Sequence, residues 1–220
     1  MALLHTTPVT LAAFRELCAQ HLPHVRVINL LDDSLLVDVI AQDGVEEPVE
    51  RRLRAYVEQA KTAGASALMS CCASIGDSLE KIAADAPIPV WRIDEPMAEE
   101  AVSRGKRVGV IATVATTLKP TANLVRRKAQ ERGVEIELES VLVQGAFDAL
   151  KSGRGGEHDE LILKELEGLV HRSDVVVLAQ ASMGRLQAAL PEPAAIPILS
   201  SPISGLQRAL ARLESASCLC

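Results

Sequence analysis

Aromatic residues are nearly absent: two phenylalanines, one tyrosine and one tryptophan make up only 2 % of the 220 residues. With 48 % hydrophobic residues and almost no rings, the core has to be Leu, Val, Ile and Ala packed in aliphatic layers. An excess of positive charge is also missing. A net charge of −6 gives no basic face, so nucleic acid is not an expected partner. Long apolar runs are lacking too; the longest, such as "DVVVLAQ", are strand-sized, and no membrane partner is expected. "MALLHTTP" turns polar by its fifth residue and has no basic start, so a cytoplasmic location is expected. No HExxH, paired CxxC, GxGxxG after a strand or GxxxxGK[ST] is found, and no metal or organic cofactor is expected. The cysteines are Cys18, Cys71, Cys72, Cys218 and Cys220. Their odd number and irregular spacing argue against a disulfide framework. Cys18, within "LAAFRELCAQHL", reads as a small buried hydrophobe, and Cys218 and Cys220 as a frayed tail.

What is present is alternation. Apolar runs such as "ALLHT", "VRVINLL", "ALMSCC" and "IPVWRI" are each followed by an amphipathic helical stretch. The second half repeats that order with "RVGVIAT", "VEIELESVLV", "DVVVLAQ" and "IPILSS". Strands rich in Val, Ile and Leu, without a polar alternate, belong to parallel sheets covered by helices on both faces. The fold class is therefore α/β, doubly wound.

The two halves also match residue by residue. "CASIG" (72–76) aligns with "QASMG" (180–184), and Ile88-Pro89-Val90 aligns with Ile196-Pro197-Ile198 at the same spacing. "HTTPVTL" (5–11) aligns with "ATVATTL" (112–118) at a spacing one residue shorter, pairing Thr6 with Thr113 and Thr10 with Thr117. Duplication explains this better than a general likeness of αβ units. Residues 1–97 with 203–220 are expected to form the first copy and 98–202 the second. A pseudo-twofold between them would turn the C-terminal ends of both sheets toward one cleft, where ligands of open parallel sheets bind.

Cys72 and Gln180 would then stand on opposite walls. Cys72 ends a strand and precedes a helix, where unpaired N–H groups and the helix dipole hold an anion and are expected to lower a thiol pKa. Ala73 and Ser74 bring donors to the same turn, and Ala181 and Ser182 do so in the second copy. Thr6, Thr7, Thr113, Thr116 and Thr117 place hydroxyls at the first junction of each copy. Capping is the ordinary role of Thr10 and Thr117, whereas Thr6, Thr113 and Thr116 are open to either capping or ligand contact. Cys71, pointing to the other face of the strand, reads as core.

"SCCASIG", "VGVIATVATTLKP" and "DVVVLAQASMG", with "GAFDAL" (145–150), together resemble the aspartate/glutamate racemase superfamily, which includes hydantoin racemases, maleate isomerases and arylmalonate decarboxylases. The resemblance runs nearly the full chain. It implies a cofactor-independent enzyme acting at the α-carbon of a small carboxylate, with Cys72 as the catalytic residue, and a homodimer. Racemases of that group carry a Cys at both junctions, one thiolate removing the α-proton and the opposite thiol returning one. Gln180 departs from that pattern, and an amide exchanges no proton at neutral pH.

A substitute acid is sought nearby. "INLLDDSLL" (28–36) puts Asp32, Asp33 and Ser34 at a strand end facing the same cleft. There an Asp drying out would have a raised pKa; the alternative is that Asp32 and Asp33 cap or stay solvated. His5 reads as structural, and His21, His24, His158 and His171 as surface residues. "GRGGEH" (153–158) reads as a mobile loop suited to gating. The resemblance also implies one-thiol chemistries, decarboxylation or lyase action, which need no second thiol. A carboxylate binder that has lost proton transfer is the non-enzymatic alternative.

Overall fold

The computed structural model describes residues 1–190 and 195–217. The tail cysteines Cys218 and Cys220 lie outside the described residues. The chain divides into two compact units, Met1–Pro96 with Pro202–Cys220, and Met97–Ser201.

The first unit has four parallel strands, β1 (Ala2–His5), β2 (Ile28–Leu31), β3 (Leu68–Ser70) and β4 (Val90–Arg92), in the order β2-β1-β3-β4. Its helices are α1 (Val9–His21), α2 (Ser34–Ala41), α3 (Glu47–Thr62), α4 (Gly76–Ala83) and the returning α9 (Ser201–Ser217), while α5 (Glu95–Arg104) runs on into the second unit. The second unit orders β5 (Arg107–Ala112), β6 (Glu137–Leu142), β7 (Val175–Leu178) and β8 (Ile198–Ser200) as β6-β5-β7-β8, again all parallel. Its helices are α6 (Ala115–Arg132), α7 (Ala146–Lys151) and α8 (Gly155–Val170).

The duplication holds at the level of register. Leu4 pairs with Ser70 and Leu30 in one sheet, and Ile111 pairs with Leu178 and Val141 in the other. Leu4 with Ile111, and Ser70 with Leu178, stand at the same two spacings as the sequence alignment. Backbone bonds past the strand ends repeat as well: Cys71 N–H to Leu4 O at 2.9 Å, and Ala179 N–H to Ile111 O at 3.0 Å.

Strand composition accounts for the layering. In β7, Val175 and Val177 enter one apolar cluster, with Val108, Val110, Leu124 and Val125. Val176 and Leu178 enter another, with Ile111, Ile162, Leu166 and Leu169. A period of two with both faces buried gives the unbroken Val run. In the first unit Leu4, Leu35, Leu53, Val57, Leu68, Ile75, Leu79 and Ile82 form one such cluster. Each fully buried aliphatic side chain contributes about 1.5–3 kcal/mol.

One element adds to the sequence reading and one expectation changes. "SLLVDVIA" forms the short helix α2, Asp33 standing at its N-cap and Leu35 and Val39 buried one turn apart. "GRGGEH" is no free loop: α8 begins at Gly155, and His158 is fully buried rather than on the surface.

Candidate active site

In each sheet the strand order reverses at one place, between β1 and β3 and between β5 and β7. Crevices beyond the carboxyl ends of strands at such switch points are where doubly wound sheets bind ligands. Thr6 and Cys72 follow β1 and β3; Thr113 and Gln180 follow β5 and β7. Topology thus puts Thr6, Cys72, Thr113 and Gln180 beyond the strand ends at the two switch points.

At the first junction Cys72 is extended (φ −134°, ψ 120°) and leads into a 3₁₀ turn, Ala73–Ile75, that runs on into α4. Ser70, fully buried, grips the Cys72 backbone from both sides. Its hydroxyl oxygen accepts the Cys72 N–H at 3.2 Å and donates to the Cys72 carbonyl at 2.9 Å. Cys72 as a whole residue is half-buried, packed against the apolar cluster of the first unit. Burial pushes its pKa above the ordinary thiol value, whereas the Thr6 and Ser74 hydroxyls and the N–H groups of Ser74 and Ile75 pull it down without cancelling that effect. The expectation of a lowered pKa is thus corrected. The donors at the turn are present, but desolvation outweighs them, and the resting group is a neutral thiol. Thr6 Oγ1 is buried and makes no well-formed hydrogen bond. Cys71 is buried on the other side and its thiol is pushed well up, by burial first and then by Cys18 and Cys72. Cys18 is likewise buried, its pKa raised to about 11 by desolvation.

Other predicted residues of this unit are committed elsewhere. The Thr7 oxygen accepts the Val9 N–H at 3.4 Å, and the Thr10 hydroxyl donates to Thr7 O at 3.2 Å, so both shape the start of α1. His5 is a core residue. Its ring nitrogens lie 3.1 Å from Thr10 Oγ1 and 3.1 Å from Asn29 Oδ1, its edge meets Phe14, and burial lowers its pKa against the bond to Asn29.

Asp32 is not a raised-pKa acid. Burial alone would lift it, but bonds from Ser34 (2.6 Å), Tyr56 (2.6 Å) and Arg52, with the Arg52 charge, bring it down to about 2. Ser34 donates to Asp32 and accepts from Arg52 at 2.5 Å, so its hydroxyl serves this cluster. Asp33 is exposed at the head of α2.

Sequence reasoning missed Arg92. It is 4 % exposed at the end of β4 and bonds Asp94 in bidentate fashion at 2.7 and 2.9 Å, Asp77 at 2.7 Å and Glu80 at 3.2 Å. Asp77 and Glu80 lie on α4, so this cluster fixes the helix that follows the Cys72 turn. Gly76 permits the approach: a Cβ there would stand 2.7 Å from the Arg92 guanidinium carbon. The legible signal was "WRID" beside an acidic first helical turn.

At the second junction Gln180 is extended (φ −102°, ψ 133°) and precedes a 3₁₀ stretch, Ala181–Ala189. Its Oε1 accepts the Thr113 N–H at 2.6 Å and the Thr113 hydroxyl at 2.9 Å. Thr116 and Thr117 are buried in the first turn of α6, and Thr116 Oγ1 has no partner. Ala181 and Ser182, both half-buried, continue the turn. The stretch is tied to α8 by Arg185, which bonds both oxygens of Asp159 and lies 3.2 Å from His158 Nδ1.

A pocket of about 220 Å³ lined by Arg107, Glu137, Glu139 and Arg172 lies at the opposite, amino ends of β5 and β6. Its cations are paired with Asp174 and Glu139. Among the described residues no cluster of His, Cys, Asp and Glu has the makings of a metal site, and no helix is long and apolar enough to cross a membrane.

The fold has relatives among solved structures. A glutamate racemase from Bacillus anthracis superposes with a TM-score of 0.75 at 18 % identity, covering 98 % of this chain and 81 % of that one. An aspartate racemase from Picrophilus torridus gives 0.70 at 12 % identity over 96 % and 94 %, and an allantoin racemase from Klebsiella pneumoniae 0.65 at 12 % over 98 % and 87 %. No curated protein sequence is similar enough to count as a match. The profile of the Asp/Glu/Hydantoin racemase family matches residues 4–209. The chain belongs to that family and is a racemase-type enzyme.

Proposed function

We propose that the enzyme moves a proton at the α-carbon of a small carboxylate through Cys72, without a cofactor, and that the Gln180 junction binds an anionic oxygen of a carboxylate. The observation that carries this reading is the pairing of unlike groups at equivalent positions: a thiol on a clamped backbone in one unit, a carboxamide in the other. A thiol exchanges protons and an amide does not. Proton traffic is therefore one-sided, with Thr6, Ala73 and Ser74 framing the thiol and Thr113, Thr116, Thr117, Gln180, Ala181 and Ser182 holding the anion. Thr7, Asp33 and Ser34 fit this reading only as second-line residues, since Thr7 and Ser34 are engaged within their own turns.

A second reading has its own support. A resting neutral thiol suits the protonation of an enediolate left by decarboxylation. The C–C bond to a carboxylate breaks, carbon dioxide leaves, the electron pair stays as an enediolate, and the Cys72 S–H supplies the proton. Solvent then reprotonates the thiolate.

The test is α-proton exchange in heavy water, followed by NMR over a panel of α-substituted carboxylates and malonates, with wild type and Cys72→Ser. Loss of turnover in the variant is expected. Wild-type rates in Cys72→Ser would remove Cys72 from the mechanism, and binding without turnover by wild type would make the protein a binder. The pH profile separates the readings. A thiol acting as acid works through neutral pH and fails as pH rises through its raised pKa; a thiolate acting as base gains in that direction.

A further inference from the structure

Gln180 has so far been described only by what it lacks. Its contacts give it a definite polarity. A backbone N–H can only donate, so the side-chain atom 2.6 Å from the Thr113 nitrogen is the carboxamide oxygen. The Thr113 hydroxyl bonds the same oxygen at 2.9 Å. With both lone pairs engaged, the oxygen accepts nothing further. The carboxamide is planar, so its –NH2 group faces away from Thr113, and the residue is only half-buried. A free glutamine presents either end of its amide; this one presents donors alone.

From this we infer that Gln180 is a directional donor to an anionic oxygen of the substrate, a carboxylate or enediolate oxygen, and that Thr113 is the residue that positions it. An ammonium group finds no acceptor on this side chain. A second, independent observation lies in the same junction. Three residues after Thr113, Thr116 is 8 % exposed, and its buried hydroxyl oxygen has no hydrogen-bond partner. A buried hydroxyl without a partner is costly unless something else satisfies it, and an anionic oxygen does. The inference rests on the proposed reading that this junction binds an anionic oxygen of a small carboxylate. It adds that specificity for the anionic end comes from the second unit.

The test uses the full chain and three variants. Gln180→Glu keeps an oxygen for Thr113 but replaces the donor with a negative charge. Thr113→Val keeps the backbone donor and loses the hydroxyl, and Thr113→Ser restores it. The side-chain 15N–H2 signal of Gln180, assigned by its loss in Gln180→Glu, is titrated with malonate, L-aspartate and phenylmalonate. Expected are a shift of that signal, a rise of about tenfold or more in Kd or KM for Gln180→Glu, and a rise of about three- to tenfold for Thr113→Val. Thr113→Ser is expected to return to within about twofold of wild type, which a merely structural role would not require. No shift with any probe, Kd and KM unchanged in Gln180→Glu, or a nuclear Overhauser contact placing the –NH2 against the Thr113 amide proton would each overturn the inference. The underlying reading fails differently. If Cys72→Ser keeps its exchange activity, that reading falls while the binding data still stand. If Cys72→Ser is inert and Gln180→Glu binds normally, the inference alone falls.

Discussion

The two switch-point junctions share a scaffold and a strand register, yet they restrain opposite parts of their key residue. In the first, Ser70 holds the backbone of Cys72 and does not hold its thiol. In the second, the counterpart of Ser70 is Leu178, an apolar core residue, and Thr113 holds the Gln180 side chain itself. A group that carries a proton has to change state and must be free to do so. A group that holds an anion works best as a fixed dipole. On the proposed reading, the repeated fold supplies one proton carrier and one donor held in place, from equivalent positions of the two sheets.

The sharpest way to break this contrast is Cys72→Ser. We expect α-proton exchange to fall by roughly 10²- to 10⁴-fold with the fold intact by circular dichroism. A variant that exchanges at the wild-type rate would leave the two junctions chemically alike.

Next in size is Arg92→Met. It strands Asp94, 1 % exposed, without its cation, and should lower stability by about 3–5 kcal/mol in urea denaturation. The equivalent position in the second unit is Ser200, an uncharged residue whose hydroxyl donates to the side-chain oxygen of Gln187, and Ser200→Ala should lose about 1 kcal/mol. Similar losses at both sites would show that Arg92 does not specially brace the Cys72 turn.

Ser70→Ala should be smaller. Releasing the Cys72 peptide should reduce kcat while KM stays within about twofold, at a stability loss of about 1 kcal/mol. A change in KM alone would mean that Ser70 serves binding.

The smallest effect concerns Asp32. Its folded-state pKa, about 2, lies below the ordinary carboxylate value, so its contribution is fully present above about pH 4 and is lost as pH falls toward 2. That contribution is at most on the order of 1–2 kcal/mol, given the half-exposed Arg52. Asp32→Asn should flatten stability across that window and leave exchange at neutral pH unchanged. Loss of exchange in Asp32→Asn would restore it as a second acid.

Much of this was legible in the sequence because it rests on pattern. Unbroken Val and Ile runs demand a doubly covered parallel sheet, and the alignment of "CASIG" with "QASMG" follows the register later seen between Leu4–Ser70 and Ile111–Leu178. What escaped depends on residues that tertiary structure brings together. "SLLVDVIA" is too short and too uniformly apolar to announce a helix, although Leu35 and Val39 are buried one turn apart. Glycines disguise where α8 begins, because its apolar stripe, Ile162, Leu166 and Leu169, comes later in the chain. Asp32 reads as an acid until Arg52 and Tyr56 arrive from α3. The state of the Cys72 thiol is a balance between burial and donors, and no spacing of letters encodes that balance.

The central claim is that protons pass on the Cys72 side alone, and stereochemistry tests it most directly. Exchange and inversion at the α-carbon are measured together in heavy water for wild type and Gln180→Cys. The account predicts that exchange outruns inversion in wild type, with label entering on one face, and that the two rates converge in Gln180→Cys. Inversion keeping pace with exchange in wild type would contradict it.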